Sequence, residues 1–368
     1  IDERVILGAA NNRNYGLEIM SWLLDRDNEV VIPITEAVLA AVLKNEERGA
    51  EMLQLILDRR RDDVQVTPLV LEGLQYACHG MMELLLQLRG DDIQVTGKLL
   101  RAAAENRNDG ETICTPLRRN PEVEITENIL LEATENTEKG LDIMERLLIH
   151  CGPDFGIGEM VVIKIAENPK IGLDMMKMLL SRQQAGFVIF EEVLEAAAQN
   201  GHSGREMLKL LTNNGGMEIP ITEGIVSKAT GNMEQAVLVM EYLLDLHRNN
   251  LPITQKVLSH AACTDWYDNT YILQLLFPKF AGARVTGKMF MAAALLNVAS
   301  INPDALLILF DQRGNDISVT ENVVFAALDG KYPVATIRFI MGRLGSKVPI
   351  TDEILVKAAT TEKPTIEG

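Results

Sequence analysis

Ile125-Thr126-Glu127-Asn128-Ile129-Leu130-Leu131-Glu132-Ala133-Thr134-Glu135-Asn136-Thr137-Glu138-Lys139-Gly140-Leu141-Asp142-Ile143-Met144-Glu145-Arg146-Leu147-Leu148 is one beat of a sequence that repeats itself. Its opening dipeptide, Ile or Val followed by Thr, returns as Ile34-Thr35, Val66-Thr67, Val95-Thr96, Ile221-Thr222, Ile253-Thr254, Val285-Thr286, Val319-Thr320 and Ile350-Thr351. Degenerate copies at Ile1-Asp2, Ile157-Gly158 and Ile189-Phe190 fill the gaps, so the anchors stand 29 to 34 residues apart. Self-similarity at that period marks a stacked repeat array, in which each unit is one supersecondary element without a core of its own.

Each unit is counted from its Thr as position 0. Positions 3, 4, 7 and 8 are apolar or small, as in Val38, Leu39, Val42, Leu43 and in Ile225, Val226, Ala229, Thr230. That spacing is one face of an amphipathic helix, helix A. Thr at position 0 suits its N-cap, the hydroxyl accepting from an otherwise orphan N–H. Glu often follows (Glu36, Glu127, Glu223, Glu321), where negative charge favours a helix N-terminus. Pro33, Pro220, Pro252 and Pro349 stand two residues before the cap, where the chain is extended. Asn at position 10 (Asn12, Asn45, Asn106, Asn136, Asn168, Asn200, Asn232) tolerates left-handed geometry and can bond neighbouring backbone, so it suits a helix C-terminus entering a turn. Gly16, Gly49, Gly110, Gly140, Gly172 and Gly204 follow at position 14, and so short a connection predicts an antiparallel second helix. Helix B carries apolar residues at 17, 18, 21 and 22, such as Ile143, Met144, Leu147 and Leu148. Met20, Met144, Met176 and Met240 at position 18 read as core fillers, and Tyr271 fits core position 17.

One such pair buries its apolar face on one side only. The expected fold is therefore all-α: an elongated solenoid of antiparallel helix-turn-helix repeats, about 11 complete and one partial, in a single array over residues 1–368. Two irregularities stand out. The third repeat is shortened at Tyr76-Ala77-Cys78-His79-Gly80, and Pro116 falls where helix B of the fourth should run, so that helix is expected to be short or kinked. The sequence has no initial Met and ends within its twelfth repeat, as expected for a piece of a longer polypeptide.

A net charge of −17 argues against a surface that tracks phosphates or anionic lipid, so no nucleic-acid or membrane partner is expected. No stretch approaches the roughly 18 apolar residues of a membrane span. Cys78, Cys114, Cys151 and Cys263 fall at different repeat positions without CxxC spacing, as reduced thiols of a cytoplasmic protein would.

The layout Thr…Ala-Ala…Asn…Gly…Ile-Met…Leu-Leu…Arg-Gly-Asp resembles the ankyrin repeat. The Thr-Pro-Leu-His signature of that family is missing, with Thr67-Pro68-Leu69 matching three of its letters once, and its Gly-His turn is replaced by Asn with Gly four residues later. The sequence more closely resembles a divergent, ankyrin-like fungal repeat of the type Ile-Thr-Glu-x-Val-Val-x-Ala-Ala-Ala-x-Asn. The resemblance covers the whole chain and implies the C-terminal array of a protein similar to NOD-like receptors, lying behind a NACHT or NB-ARC module. It carries over no catalytic residues.

No Walker A loop, GxGxxG, GxSxG or HExxH occurs, so neither an enzyme nor a cofactor is expected. His260 and Cys263, three apart on a helix, and His150-Cys151 read as structural rather than as metal ligands. Paired acids such as Glu191-Glu192 and Asp91-Asp92 recur at solvated helix starts and turns.

Two features depart from the repeat. Position 5 of helix A lies off the core stripe, is polar in Glu72, Arg101, Glu195, Ser227 and Ser259, and is apolar in Leu131, Ile163, Met291, Phe325 and Val356. Such residues on neighbouring repeats form a contiguous binding patch if they face solvent, whereas a slight helix rotation would bury them. Trp266 and Tyr267 replace a standard connection, either as hot-spot aromatics or as a plug between units. The functional expectation is a non-enzymatic protein-recognition scaffold, the sensing or regulatory array of a larger intracellular receptor. Its acidity favours a basic or mixed-charge protein partner. The main rival is a structural array that holds flanking domains or self-associates. An enzyme, whose pocket would have to break the repeat pattern, is a distant third.

Overall fold

The computed structural model describes residues 1–26, 32–65, 67–77, 79–89, 96–153, 155–182, 189–214, 220–232, 234–247, 251–262, 269–276, 289, 291, 304–313, 319–330 and 332–360. Among them every regular element is helical and none is a strand. They belong to two compact units, Ile1–Phe187 and Val188–Gly368.

In the first unit the helices come in pairs: α1 (Glu3–Asn11) and α2 (Gly16–Asp25), α3 (Glu36–Leu43) and α4 (Gly49–Arg60), α5 (Pro68–Gly73) and α6 (His79–Arg89). They continue as α7 (Gly97–Ala104) and α8 (Cys114–Arg119), α9 (Glu127–Glu135) and α10 (Gly140–Cys151), α11 (Glu159–Glu167) and α12 (Gly172–Arg182). The second unit holds α13 (Glu191–Gln199) and α14 (Gly204–Asn214), α15 (Glu223–Thr230) and α16 (Ala236–His247), α17 (Gln255–Ala262) and α18 (Asn269–Leu276). After these come α19 (Asp304–Arg313), α20 (Glu321–Asp329), α21 (Pro333–Leu344) and α22 (Asp352–Thr360). Helix A packs on its own helix B and on the next helix A, as α3 does on α4 and α5, α9 on α10 and α11, and α13 on α14 and α15.

Helix A starts where the sequence says it should. Thr35 and Thr222 have extended backbone, and their hydroxyls accept from the N–H of Val38 and Ile225 at 3.4 Å. The same hydroxyls donate to the position-1 glutamate of the preceding repeat, Thr35 to Glu3 and Thr222 to Glu191, both at 2.6 Å. The cap thus also joins neighbouring repeats. Thr96, Thr126 and Thr320 take the same backbone conformation without a capping side-chain bond. Positions 3, 4, 7 and 8 are buried, for example Val38, Leu39, Val42 and Leu43, each contributing about 1.5–3 kcal/mol where a large aliphatic side chain is fully covered.

Helix B starts at the position-14 glycine because there is no room for a side chain. A Cβ on Gly16 would stand 2.5 Å from the Ala9 carbonyl oxygen, and Gly140 faces the Ala133 carbonyl more closely still. Met20, Met144, Met176 and Met240 are fully buried, as their period predicts. Pro116 shortens α8 to six residues, entered through a 3-10 turn at Gly110–Ile113. Tyr271 departs from its expected place. The apolar pair that α18 buries is Ile272 and Leu273, one residue on, which turns the phenol outward, 45% exposed, with its hydroxyl donating to Glu241.

The position-10 asparagines end helix A and bond neighbouring backbone as expected, and they do more. They are not left-handed: Asn12, Asn136, Asn168 and Asn200 have φ between −80° and −65°. Asn45, Asn106, Asn136, Asn168, Asn200 and Asn232 are buried. Each Oδ1 accepts the N–H groups two and three residues on, as Asn136 does from Glu138 (3.3 Å) and Lys139 (3.0 Å), closing the turn into helix B. The Nδ2 reaches into the preceding repeat. Asn45 donates to the carbonyls of Ala10 (2.8 Å) and Asn12 (3.2 Å), Asn136 to those of Ala104 (3.0 Å) and Asn106 (2.6 Å), and Asn232 to those of Ala198 (2.9 Å) and Asn200 (3.0 Å). The ends of helix A leave carbonyls unpaired. In this fold the next repeat's asparagine satisfies them, so the amide is an inter-repeat clip.

Candidate recognition surface

The face of helix A beside the buried stripe carries positions 5 and 9, while position 6 is buried where it is alanine, as in Ala41, Ala102 and Ala196. Leu131, Ile163, Met291 and Phe325 are half-buried there, between the open patch and the buried stripe that the sequence allows, and only Val356, at 64%, is well exposed. The polar residues at position 5 range from exposed Arg101 to half-buried Glu195 and Ser227. Trp266 and Tyr267 lie outside the described residues.

A feature not singled out from the sequence lies on the same face of the first unit. A cleft of about 340 Å³ is lined by Gln75, Tyr76, Glu105, Arg107, Glu132, Glu135 and Asn136. It opens where two short repeats adjoin, the anchors at 67, 96 and 126 being only 29 and 30 residues apart. In the first of these, α5 ends at Gly73, a 3-10 turn covers Leu74–Tyr76, and α6 begins at His79, so the connection between helices is cut short. Tyr76 is left exposed, with the Lys44 ammonium 5.5 Å from its ring centroid.

The floor of the cleft is an ion-pair network. Arg101 pairs with Glu132 and, through Nε at 3.1 Å, with Glu105. Burial pushes the Glu132 carboxyl above the usual carboxylate range, the charge of Glu105 adds to this, and the Arg101 guanidinium pulls it back in part. Arg101 is more exposed, and the charge of Glu132 lifts its pKa. The two directions agree once burial is assigned to the glutamate alone. Glu132 therefore carries a carboxylate that a further cation in the cleft would stabilise.

A second cavity, of about 710 Å³, lies beside the shortened α8 and is lined by Glu111, Cys114, Leu117, Arg118, Pro121, Arg146, Ile149 and His150. Arg146 Nη1 donates to Cys114 Sγ and Nη2 to Glu111, both at 3.1 Å. Cys114 and Cys151 are free thiols, and burial pushes that of Cys151 up. His260 bonds Thr230 Oγ1 through Nδ1 at 3.1 Å, and burial of the ring followed by the charges of Lys228 and Lys256 lowers its pKa. Although His260 as a whole is exposed, that ring edge is turned into the contact with the preceding repeat. Cys263 lies outside the described residues. Among the described residues no group of three or more His, Cys, Asp or Glu is arranged to hold a metal ion, and no helix is long and apolar enough to cross a membrane.

These features define an all-helical tandem-repeat protein. The sequence model of a family described as a domain of unknown function (DUF7104) matches residues 23–52, 55–72, 84–113, 117–144, 178–207, 210–240 and 308–327, together half of the chain. The chain belongs to that family. The matched segments run from one helix B into the following helix A; four of the five longer ones reach the next helix B, and 84–113 stops at the 3-10 turn before α8. No curated protein and no solved structure matches.

Proposed function

We propose that the helix pairs of each unit form an ankyrin-like α-solenoid, and that the chain is a non-enzymatic protein-recognition array working inside the cell. In this reading it is the sensing or regulatory part of a larger fungal receptor. The observation that carries recognition is the cleft at Tyr76. It presents the carboxylates of Glu105, Glu132 and Glu135 beside an exposed aromatic ring, against two guanidiniums, Arg107 in the lining and Arg101 paired with Glu105 and Glu132 beneath it. Its chemistry suits a basic side chain on a protein segment: the cation meets the half-buried carboxylate of Glu132 and its neighbour Glu135, and its aliphatic stem lies on the phenol. Tyr is also a residue type enriched at interface hot spots. A chain with net charge −17 draws such a partner in at long range.

Peptide selection from a random display library on the full chain tests this. Selected sequences are expected to be rich in Lys and Arg, to bind less tightly as salt rises, and to lose at least tenfold in affinity on Tyr76→Ala or Glu135→Gln. Peptides that bind these variants as well as the parent chain refute the assignment of the cleft.

A further inference from the structure

Successive B helices of the first unit pack on one another, α2 on α4, α4 on α6 and α10 on α12. At one place the series breaks: α10 rests mainly on the 3-10 turn at Gly110–Ile113 and little on α8. Pro116 accounts for this. It is tolerated only in the first turn of a helix, so α8 begins at Cys114 and has six residues. The side chains along the gap depart from the repeat as well. Positions 18 and 22 hold buried Met or Leu in regular units, as Leu53 and Leu57 or Met144 and Leu148, but α8 has half-buried Cys114 and exposed Arg118 there. Position 23 is polar in Asp25, Asp58, Ser181, Asn213 and Asp245, whereas Ile149 on α10 is apolar and 63% exposed.

The resulting cavity of about 710 Å³ has Leu117, Pro121 and Ile149 as its apolar wall. Two guanidiniums, Arg118 and Arg146, and the His150 imidazole line it together with the Glu111 carboxylate. Glu111 pairs with Arg146, and the charge of Asp142 acts on Arg146 too, while Arg118 has no ion-pair partner and uses only Nε, on the Cys114 carbonyl at 3.3 Å. The cavity is therefore rich in cations within a chain of net charge −17, the reverse of the acidic cleft at Tyr76. Arg146 also has an unused donor. With Nη1 on Cys114 and Nη2 on Glu111, its Nε is buried without a hydrogen-bond partner. A buried donor on a charged group is costly to leave unpaired, and a charged acceptor offsets that cost best.

We propose that the gap between α8 and α10 binds a free acyl carboxylate, its chain lying on Leu117, Pro121 and Ile149 and its head group held by Arg118 and the Nε of Arg146. Charge complementarity sets the head: a carboxylate accepts from guanidinium donors in a forked geometry that suits both arginines. The apolar wall sets the body. Size selects a small molecule, since the cavity falls within the range of about 300–1,000 Å³ typical of such sites. Six residues of α8 rise only about 9 Å, too short a wall to seat a peptide helix or strand along it. The site belongs to the B helices, is separate from the cleft at Tyr76, and does not rest on the recognition reading.

Isothermal titration calorimetry of the full chain with decanoate, kept below its micelle concentration, tests it. Saturable binding is expected, with decanol and acetate each weaker by about tenfold or more, because one lacks the charged head and the other the apolar body. Ile149→Asp introduces the residue type that other repeats carry at position 23, and Arg118→Glu reverses the unpaired charge. Both side chains are exposed, unchanged circular dichroism confirms the folds, and each variant should lose about tenfold or more in affinity. Tyr76→Ala, at the other cleft, should leave decanoate binding unchanged. Alkylation by iodoacetamide, resolved peptide by peptide in a mass spectrometer, places the ligand: decanoate should slow Cys114, which lines the cavity, far more than Cys151, which does not. Absence of saturable binding, decanol binding as tightly as decanoate, or undiminished affinity in both variants overturns the proposal. So does equal slowing at Cys151, or a loss of helical circular dichroism on adding decanoate, which marks detergent action. An acidic peptide that protects Cys114 where decanoate does not overturns the assignment to a small ligand.

Discussion

Replacing Asn136 by Ala removes four hydrogen bonds at one stroke and tests whether the buried amide is what holds successive repeats together. Two of them, from Nδ2 to the carbonyls of Ala104 and Asn106, cross to the preceding repeat, and two, from Glu138 and Lys139 to Oδ1, close the local turn. Asn136 is buried, so the groups left behind have little access to water. With a buried unsatisfied polar group costing about 1–3 kcal/mol, and the carbonyls able to recover part of this, the loss is about 3–5 kcal/mol. Asn12→Ala is the internal control. That residue is half-buried and makes only the two turn bonds, so its loss is about 1 kcal/mol. Urea unfolding followed by circular dichroism gives the two differences, and hydrogen exchange places them. Asn136→Ala should lower protection in α7, whose terminal carbonyls it frees, as well as in the turn before α10. If both variants lose the same stability, or if protection falls only in the turn, the inter-repeat bonds contribute little and the clip is an incidental contact.

Gly140→Ala forces a Cβ against the Ala133 carbonyl and should destabilise by about 1–3 kcal/mol, whereas Gly97→Ala, at a helix start with nothing within 4 Å, should stabilise by about 0.4–1 kcal/mol; thermal melts that move the same way contradict the steric account. Thr222→Val loses both the cap to Ile225 and the link to Glu191, at about 1–2 kcal/mol, while Thr96→Val, which makes no capping side-chain bond, stays within about 0.5 kcal/mol. Glu132 should titrate above an ordinary glutamate by carboxyl NMR, lower again in Glu105→Gln and higher still in Arg101→Met. Because its folded pKa is raised, its linkage to stability is greatest below the unfolded carboxyl pKa and fades as pH rises through the folded value. An unmoved titration in Glu105→Gln removes the charge coupling from the argument.

The period, the caps and the core were legible because each depends on a local rule repeated many times. Ile/Val-Thr announces an N-cap, positions 3, 4, 7 and 8 mark a helix face, and Pro116 shortens the helix it enters. Asn136 was legible as a helix end but not as a clip, since its Nδ2 partners lie about 30 residues away and no local propensity reports on a carbonyl in another repeat. Of the two properties that suit Asn to this place, the structure uses its bonds to neighbouring backbone and not its tolerance of left-handed geometry: Asn12, which makes only the local turn bonds, has the same extended backbone as the clipped asparagines. Position 5 was ambiguous because Leu131 and Ile163 stand at the edge of the core stripe, where a small helix rotation decides exposure. The cleft at Tyr76 had a signal in the 29- and 30-residue spacings, but its lining combines side chains from three repeats that only folding brings together.

The cleft and the asparagine ladder share a cause. In the first unit the clip is present at Asn45, Asn106, Asn136 and Asn168, but the third repeat has Ala77 at position 10. Ala77 bonds only through its backbone, its N–H donating to Leu74, and cannot reach the α3 carbonyls as an asparagine would. The shortened connection therefore deletes an inter-repeat bond at the point where it removes the loop that would have filled the space beside Tyr76. Asn106 still clips this repeat from the other side through the carbonyls of Leu74 and Ala77, and Asn108 holds the carbonyl of Tyr76 at 2.7 Å. The wall of the cleft is clipped by asparagine to the following repeat, whereas it meets the preceding one through the packing of α5 on α3 and the Lys44–Tyr76 contact. A binding surface needs a rigid floor to fix the carboxylates of Glu105 and Glu132 and open space beside it to admit a partner segment. A single irregular repeat supplies both, which is why departures from the repeat, rather than its regular positions, mark the place to look for function.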